Sequence, residues 1–216
     1  MDMPRERAVM TQPSAVPAYG GKETGSAHLR VLDGTGDESR RRAENAVAEL
    51  LTALGRDVTD ENLADTPRRV VASFLELLTP QEFTMTTFPN TEGYSDLVVV
   101  RDIPFHSLCE HHLLPFRGVA HVGYVPADRL LGLSKLARVV ELFARDLQVQ
   151  ERLTRQVAGY LQEQLEPLGV GVVLEAEHMC MSVRGVQSAG ARTTTSTFLG
   201  VLAEAGPLRQ QFSGNC

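Results

Sequence analysis

The sequence predicts an α+β domain: an antiparallel β-sheet carrying a pair of helices on one face, preceded by a second helical pair. Three observations point there. Apolar residues recur at helical spacing in several segments. Runs rich in β-branched residues, bounded by Gly and Pro, fill others. The order along the chain is two helices, then β-β-α-α-β-β, and strand pairs that flank a helical pair suit a sheet with its helices gathered on one side.

The elements follow in order. Val47, Leu50, Leu51 and Leu54 fall on one helix face, which Gly55 closes. The segment ADTPRRVVASFLELL is a second helix, with Asp65 or Thr66 as cap, Pro67 in its first turn, and Val70, Phe74, Leu77 and Leu78 as its buried stripe. DLVVVRDIPF reads as a strand and GVAHVGYVP as another, ended by Pro126. SKLARVVELFARDL is helical, with Leu136, Val139, Val140, Phe143 and Leu147 on one face. Leu153, Val157, Tyr160, Leu161 and Leu165 mark the next helix. GVGVVLEAEHMCMSVRG reads as one long strand, and TTTSTFLGVL as the last. Residues 1–36 are rich in Pro, Gly, Ser and charge and read as a disordered arm; the domain spans 37–216.

Composition narrows the function. The 216 residues carry a formal net charge of −6, so nothing basic dominates and a general nucleic-acid binder is not expected. No apolar run is long enough to span a membrane, and the N-terminus lacks a signal-like apolar region. Cys109, Cys180 and Cys216 are odd in number and widely spaced, which suits a reducing cytoplasm better than a disulfide framework.

The chemistry concentrates in HSLCEHHLLPFRG, His106 to Gly118, which holds three of the six histidines. Cys109 and His112 form a C-x2-H pair where the chain must turn, a spacing that lets both side chains reach one ion. Far along the chain, EHMCM carries His178 and Cys180; on a strand, residues two apart share a face. Cys109, His112 and Cys180 together would suit zinc. The plainer reading of each cysteine is a small buried hydrophobe. Two unspent histidines, His111 and His178, favour a catalytic over a structural site, because a catalytic zinc keeps one position for water and proton carriers stand near it. Cys216 is a less favoured fourth ligand. His28, His106 and His121 have no assigned partner.

CEHHLLPFRGVAHVGYVP, LGLSKLARVVELFARDLQVQERLT, EAEHMCMSVRGVQ and TTTSTFLGV together resemble the zinc-dependent GTP cyclohydrolase I family, from about Glu38 to Phe212. The resemblance implies the tunnelling fold, a homodecamer of two stacked pentameric rings with shared active sites, and conversion of GTP and water to 7,8-dihydroneopterin triphosphate and formate, the entry to folate or biopterin synthesis. It implies one zinc per subunit on Cys109, His112 and Cys180, with zinc-bound water attacking C8 of guanine. His111 and His178 would be the acid/base pair, assisted by Ser134. Glu151 would read guanine. Lys135, Arg138, Arg184 and Arg69, with Ser134, would hold the triphosphate. Glu110 and Gln150 would line the substrate.

Those residue types suit the task. Guanine presents N1–H and a 2-amino group side by side, and a carboxylate accepts from both. A triphosphate on an acidic protein needs cations gathered locally, and Arg forks match phosphate. Read without the resemblance, Glu151 is a solvated helix-start glutamate and the cations are ordinary surface charges. Two rival functions remain: a non-catalytic zinc-binding module, and another tunnelling-fold enzyme acting on a pterin or deazapurine.

Overall fold

The computed structural model describes residues 36–214. The arm expected at 1–36, save Gly36, and Cys216 lie outside the described residues.

Two helices, α1 (Asp37–Ala53) and α2 (Thr66–Leu78), come first. A short strand β1 (Thr87–Pro89) precedes the long strands β2 (Val98–Cys109) and β3 (Pro115–Val125). Then follow β4 (Arg129–Leu131), α3 (Ser134–Ala144), β5 (Leu147–Gln148) and α4 (Gln150–Leu165). The chain ends with β6 (Gly169–His178), a one-turn α5 (Met179–Ser182), β7 (Thr193–Gly200) and α6 (Pro207–Ser213). The main sheet has the order β5-β2-β3-β6-β7, antiparallel from β2 to β7, with β5 joined to β2 in parallel. This is the predicted α+β architecture.

Alternation along the strands builds the core. Ala120, Val122 and Tyr124 of β3 and Val170, Val172, Leu174 and Ala176 of β6 share one face. They join one buried cluster with Leu136, Val139 and Val140 of α3 and Leu153, Val157 and Leu161 of α4. Each such aliphatic side chain contributes about 1.5–3 kcal/mol by leaving water. The opposite face holds a smaller cluster of Leu97, Val125, Val173, Leu202 and Phe212, the last from α6. β3 and β6 approach closely at Gly118, where a Cβ would overlap the carbonyl oxygen of Glu175. At Gly200, φ of +58° ends β7.

Several boundaries differ from expectation. The helix read through Leu147 stops at Ala144, because Leu147 and Gln148 pair with Leu108 and Cys109. The long strand read through Gly185 stops at His178. Its neighbour β3 begins at Pro115, and Phe116 already opposes His178, so later residues have no strand to pair with and form α5. The expected stripe of α1 is only half covered: Val47 and Leu51 are half-buried, while Leu50 and Leu54 are 58% and 68% exposed. In α2, Asp65 occupies the cap position but makes no capping hydrogen bond; its carboxylate pairs with Arg68 and Arg69. His121 finds a partner at a β-bulge, where Nδ1 accepts from the Asp102 amide at 3.3 Å.

Candidate active site

The turn between β2 and β3 is built to fold a histidine back over a cysteine. Cys109 ends β2, and its carbonyl accepts from the amides of His112 (3.2 Å) and Leu113 (2.8 Å). Its own amide donates to the Leu114 carbonyl at 2.9 Å. Leu113 takes a left-handed φ of 56° to close the turn. As a result His112 Nδ1 lies 3.8 Å from Cys109 Sγ, and His111 Nδ1 lies 3.7 Å from the same sulfur.

Cys180 reaches this turn from α5. The ligand atoms of Cys109, His112 and Cys180 all lie within 4.8 Å of one another. On a continuous strand, His178 and Cys180 would share one face. The structure reaches the same convergence by another route, a helical turn that leaves the sheet after His178. Burial and then the neighbouring Cys109 push the Cys180 thiol up, while the Arg184 guanidinium pulls it down. Two thiols held together resist ionising, and a divalent cation between them reverses that cost. Two sulfurs and an imidazole within reach of one point therefore fit a metal ion, and the soft donors suit zinc. Arg184 Nη1 stands 3.5 Å from His112 Nε2, which places a cation beside the cluster.

His178 sits at the end of β6, stacked on Phe116, with Nε2 2.8 Å from Gln150 Oε1. Burial holds its pKa below the ordinary histidine value, and the Glu151 carboxylate partly opposes this. Gln150, expected to line the substrate, is instead 1% exposed. Its amide nitrogen donates to the carbonyls of Leu174 and Thr193. In this chain its side chain serves the protein interior and His178.

The two-residue strand β5 carries the start of α4 to the metal turn. Cys109 pairs with Gln148, and the Glu110 amide donates to the Gln148 carbonyl at 3.1 Å. Glu151 then stands exposed in the first turn of α4. Arg152, which sequence reasoning passed over, braces this junction. It meets Glu110 Oε2 at 2.6 Å, the Leu147 carbonyl at 2.6 Å and Gln148 Oε1 at 2.9 Å. The only local hint was its place beside Glu151.

The remaining candidates lie apart. Ser134 is exposed at the start of α3. Lys135 Nζ is 5.9 Å from the Phe83 ring centroid, and Arg138 bonds Gln81 (2.6 Å) and Glu141 (3.0 Å). None of these partners belongs to the metal cluster. Arg69 pairs with Asp65 at 3.2 Å. It lines a cavity of about 310 Å3 together with Leu108, Leu113 and Pro115, at the turn that follows β2.

The model of a family described as GTP cyclohydrolase I matches residues 43–216. A protein of Allorhizobium ampelinum named GTP cyclohydrolase 1 is 50% identical over 183 residues, covering 82% of this chain and 91% of that protein. One of the same name from Streptomyces coelicolor is 49% identical over 192 residues, covering 84% and 94%. A third, from a Synechococcus species, is 49% identical over 183 residues, covering 83% and 80%. Among solved structures, the apo form of the archaeosine synthase QueF-Like matches with a TM-score of 0.41 at 15% identity, over 49% of this chain and 94% of that one.

Proposed function

Since the chain belongs to the GTP cyclohydrolase I family, we propose that its Cys109–His112–Cys180 pocket converts GTP and water to 7,8-dihydroneopterin triphosphate and formate. The observation that carries this is the convergence of two thiols and an imidazole from two distant segments within 4.8 Å, with His111 beside Cys109 and His178 two residues before Cys180. The chemistry adds water at C8, opens the imidazole ring and expels C8 as formate. The ribose then rearranges through an enol and a pyrazine ring closes.

Zinc held by Cys109, His112 and Cys180 would supply the Lewis acidity that activates water at neutral pH. The chain's own residues do the rest. Glu151, at the exposed start of α4, accepts from guanine N1–H and the 2-amino group. That preference rejects adenine, which has no N1–H, and a site built around such bonds discriminates strongly. Arg184, beside His112, anchors the triphosphate together with Lys135, Arg138, Arg69 and Ser134. His111 and His178 move protons at the purine ring nitrogen and the ribose oxygens. Glu110, held by Arg152, lines the base.

A homodecamer of two stacked pentamers fits this chain. Leu50 of α1 and Leu54 just after it are exposed apolar side chains, and Lys135 and Arg138 have partners away from the Cys109 turn. Both facts suit active sites assembled from more than one subunit, each with one zinc. Reduced Cys109 and Cys180 suit a cytoplasmic setting; among the described residues, no helix is long and apolar enough to cross a membrane.

The test is direct. Purified protein loaded with zinc and given GTP yields formate and, after oxidation, fluorescent neopterin. Fully loaded protein that yields neither would overturn the proposal.

A further inference from the structure

The buried amide of Gln150 extends the role proposed for His178, and rests on it. Gln150 opens α4 and is 1% exposed. Its Nε2 donates to the carbonyl of Leu174 in β6 at 3.0 Å and to that of Thr193 at the start of β7 at 2.9 Å. A carbonyl oxygen only accepts, so both amide hydrogens are spent and the orientation of the amide follows. Its oxygen is the atom that faces His178 Nε2, at 2.8 Å. An amide oxygen cannot donate. The contact is a hydrogen bond only when Nε2 itself carries a hydrogen; a bare Nε2 would set two lone pairs against each other beside a buried side chain. Turning the amide over would serve a bare Nε2, but would press Oε1 against two carbonyl oxygens. Two bonds outweigh one.

The helix start that carries this amide is itself fixed. Thr154 Oγ1 donates to the Gln150 carbonyl at 2.7 Å and meets Thr195 Oγ1 of β7 at 2.6 Å. Phe116 sets the plane of the His178 ring, and Gln150 sets its rotation within that plane. Among the described residues, Nδ1 of His178 has no hydrogen-bond partner.

We propose that Gln150 is a positioning residue that fixes the tautomer and the ring orientation of His178: Nε2 carries the hydrogen that the Gln150 amide oxygen accepts, and Nδ1 is the nitrogen left for the substrate. Which ring nitrogen of a histidine acts is set by the bond the other one makes.

Neutron diffraction from zinc-loaded crystals grown in heavy water reads the atom itself. Deuterium on His178 Nε2 is expected, whether Nδ1 is bare or occupied; a bare Nε2 would overturn the proposal. Gln150→Met keeps the side-chain length and removes both polar groups. Its kcat for GTP should fall about 10- to 100-fold, the range seen when an orienting partner of a site histidine is lost, with KM and zinc content unchanged. A variant with wild-type kcat, or one whose loss lies wholly in KM or in bound zinc, would also overturn it. Should Gln150→Met fail to fold, the neutron map of the wild-type protein decides alone. Absence of GTP turnover in wild-type protein is a separate outcome, and it sinks the catalytic reading of His178 rather than the placement of hydrogen on Nε2.

Discussion

The imidazole of His178 lies flat on the ring of Phe116, with centroids 4.6 Å apart and planes inclined by 5°. The two residues are direct cross-strand partners of β6 and β3, and Phe116 is wholly buried. A core residue thus sets the plane of a site residue. Phe116→Leu keeps an apolar side chain there but removes the flat support. It should cost about 1 kcal/mol, the scale of one ring–ring contact, and lower kcat while zinc content holds. Urea unfolding, steady-state kinetics and metal analysis check the three parts.

The metal ligands and the proton carriers should separate experimentally. Cys109→Ser, His112→Asn and Cys180→Ser are each expected to lose zinc and product together. His111→Ala should keep zinc and lose product, although its Nδ1 is 3.7 Å from the Cys109 sulfur. Chelation of the wild-type protein should abolish turnover and added zinc should restore it. Full turnover by zinc-free Cys180→Ser would remove that residue from the site.

Glu151 is exposed and makes its case only through ligand recognition. Glu151→Gln keeps the shape but replaces one acceptor oxygen by a donor, which then opposes a guanine donor. The kcat/KM for GTP should drop about 100-fold or more, the scale of discrimination available to a site that hydrogen-bonds its substrate. The folded state should lose only about 0.3–1 kcal/mol of helix-start stabilisation. An unchanged GTP concentration dependence would reassign the base-reading role.

At Gly118 the sheet leaves no room for a side chain, since a Cβ would overlap the Glu175 carbonyl oxygen. Gly118→Ala must push β3 and β6 apart near the His178 end of their ladder. A loss of about 3 kcal/mol is expected from overpacking of this kind, read by thermal unfolding. A variant as stable as the wild type would mean the strands separate there at no cost.

Tyr124 ties stability to alkaline pH. Burial pushes its phenol above the ordinary value of 10.0, partly offset by the hydrogen bond that its oxygen accepts from the Leu131 amide at 2.9 Å. Because the folded pKa is the higher, both states are protonated below the unfolded value and the contribution is complete there. As pH rises past about 10, the unfolded chain ionises first. Stability then falls until the folded phenol also ionises. Urea midpoints between about pH 9 and 11 should decline more steeply in the wild type than in Tyr124→Phe. At neutral pH that variant should be weaker by about 1–3 kcal/mol, for the unpaired Leu131 amide.

Much of the site was readable because its chemistry is local. Cys109, His111 and His112 crowd one turn, His178 and Cys180 crowd another, and zinc-type donors at such spacing carry a signal without any fold. The strands and helices of the core were readable from the periodicity of residues such as Val170, Val172 and Leu174. What escaped has non-local causes. MCMSV has the composition of a strand, but the partner it would need ends at Pro115. β5 is two residues long, too short for any period to show, and was absorbed into the preceding helix. The role of Gln150 depends on Leu174 and Thr193, and that of Arg152 on Glu110, none of which neighbours it in sequence.

The parallel pairing of β5 with the end of β2 joins two stretches of chain that do different work. One, the turn at Cys109, carries two of the three donors of the candidate metal site. The other, the segment from Leu147 to Arg152, is proposed to face the purine. The seam between them is two residue pairs wide, Leu108 with Leu147 and Cys109 with Gln148. Within the second stretch Gln148 and Gln150 are buried and Arg152 is tied to Glu110, whereas Glu151 is exposed and can change without disturbing the seam. A lineage seeking a different heterocycle would vary Glu151 before its neighbours.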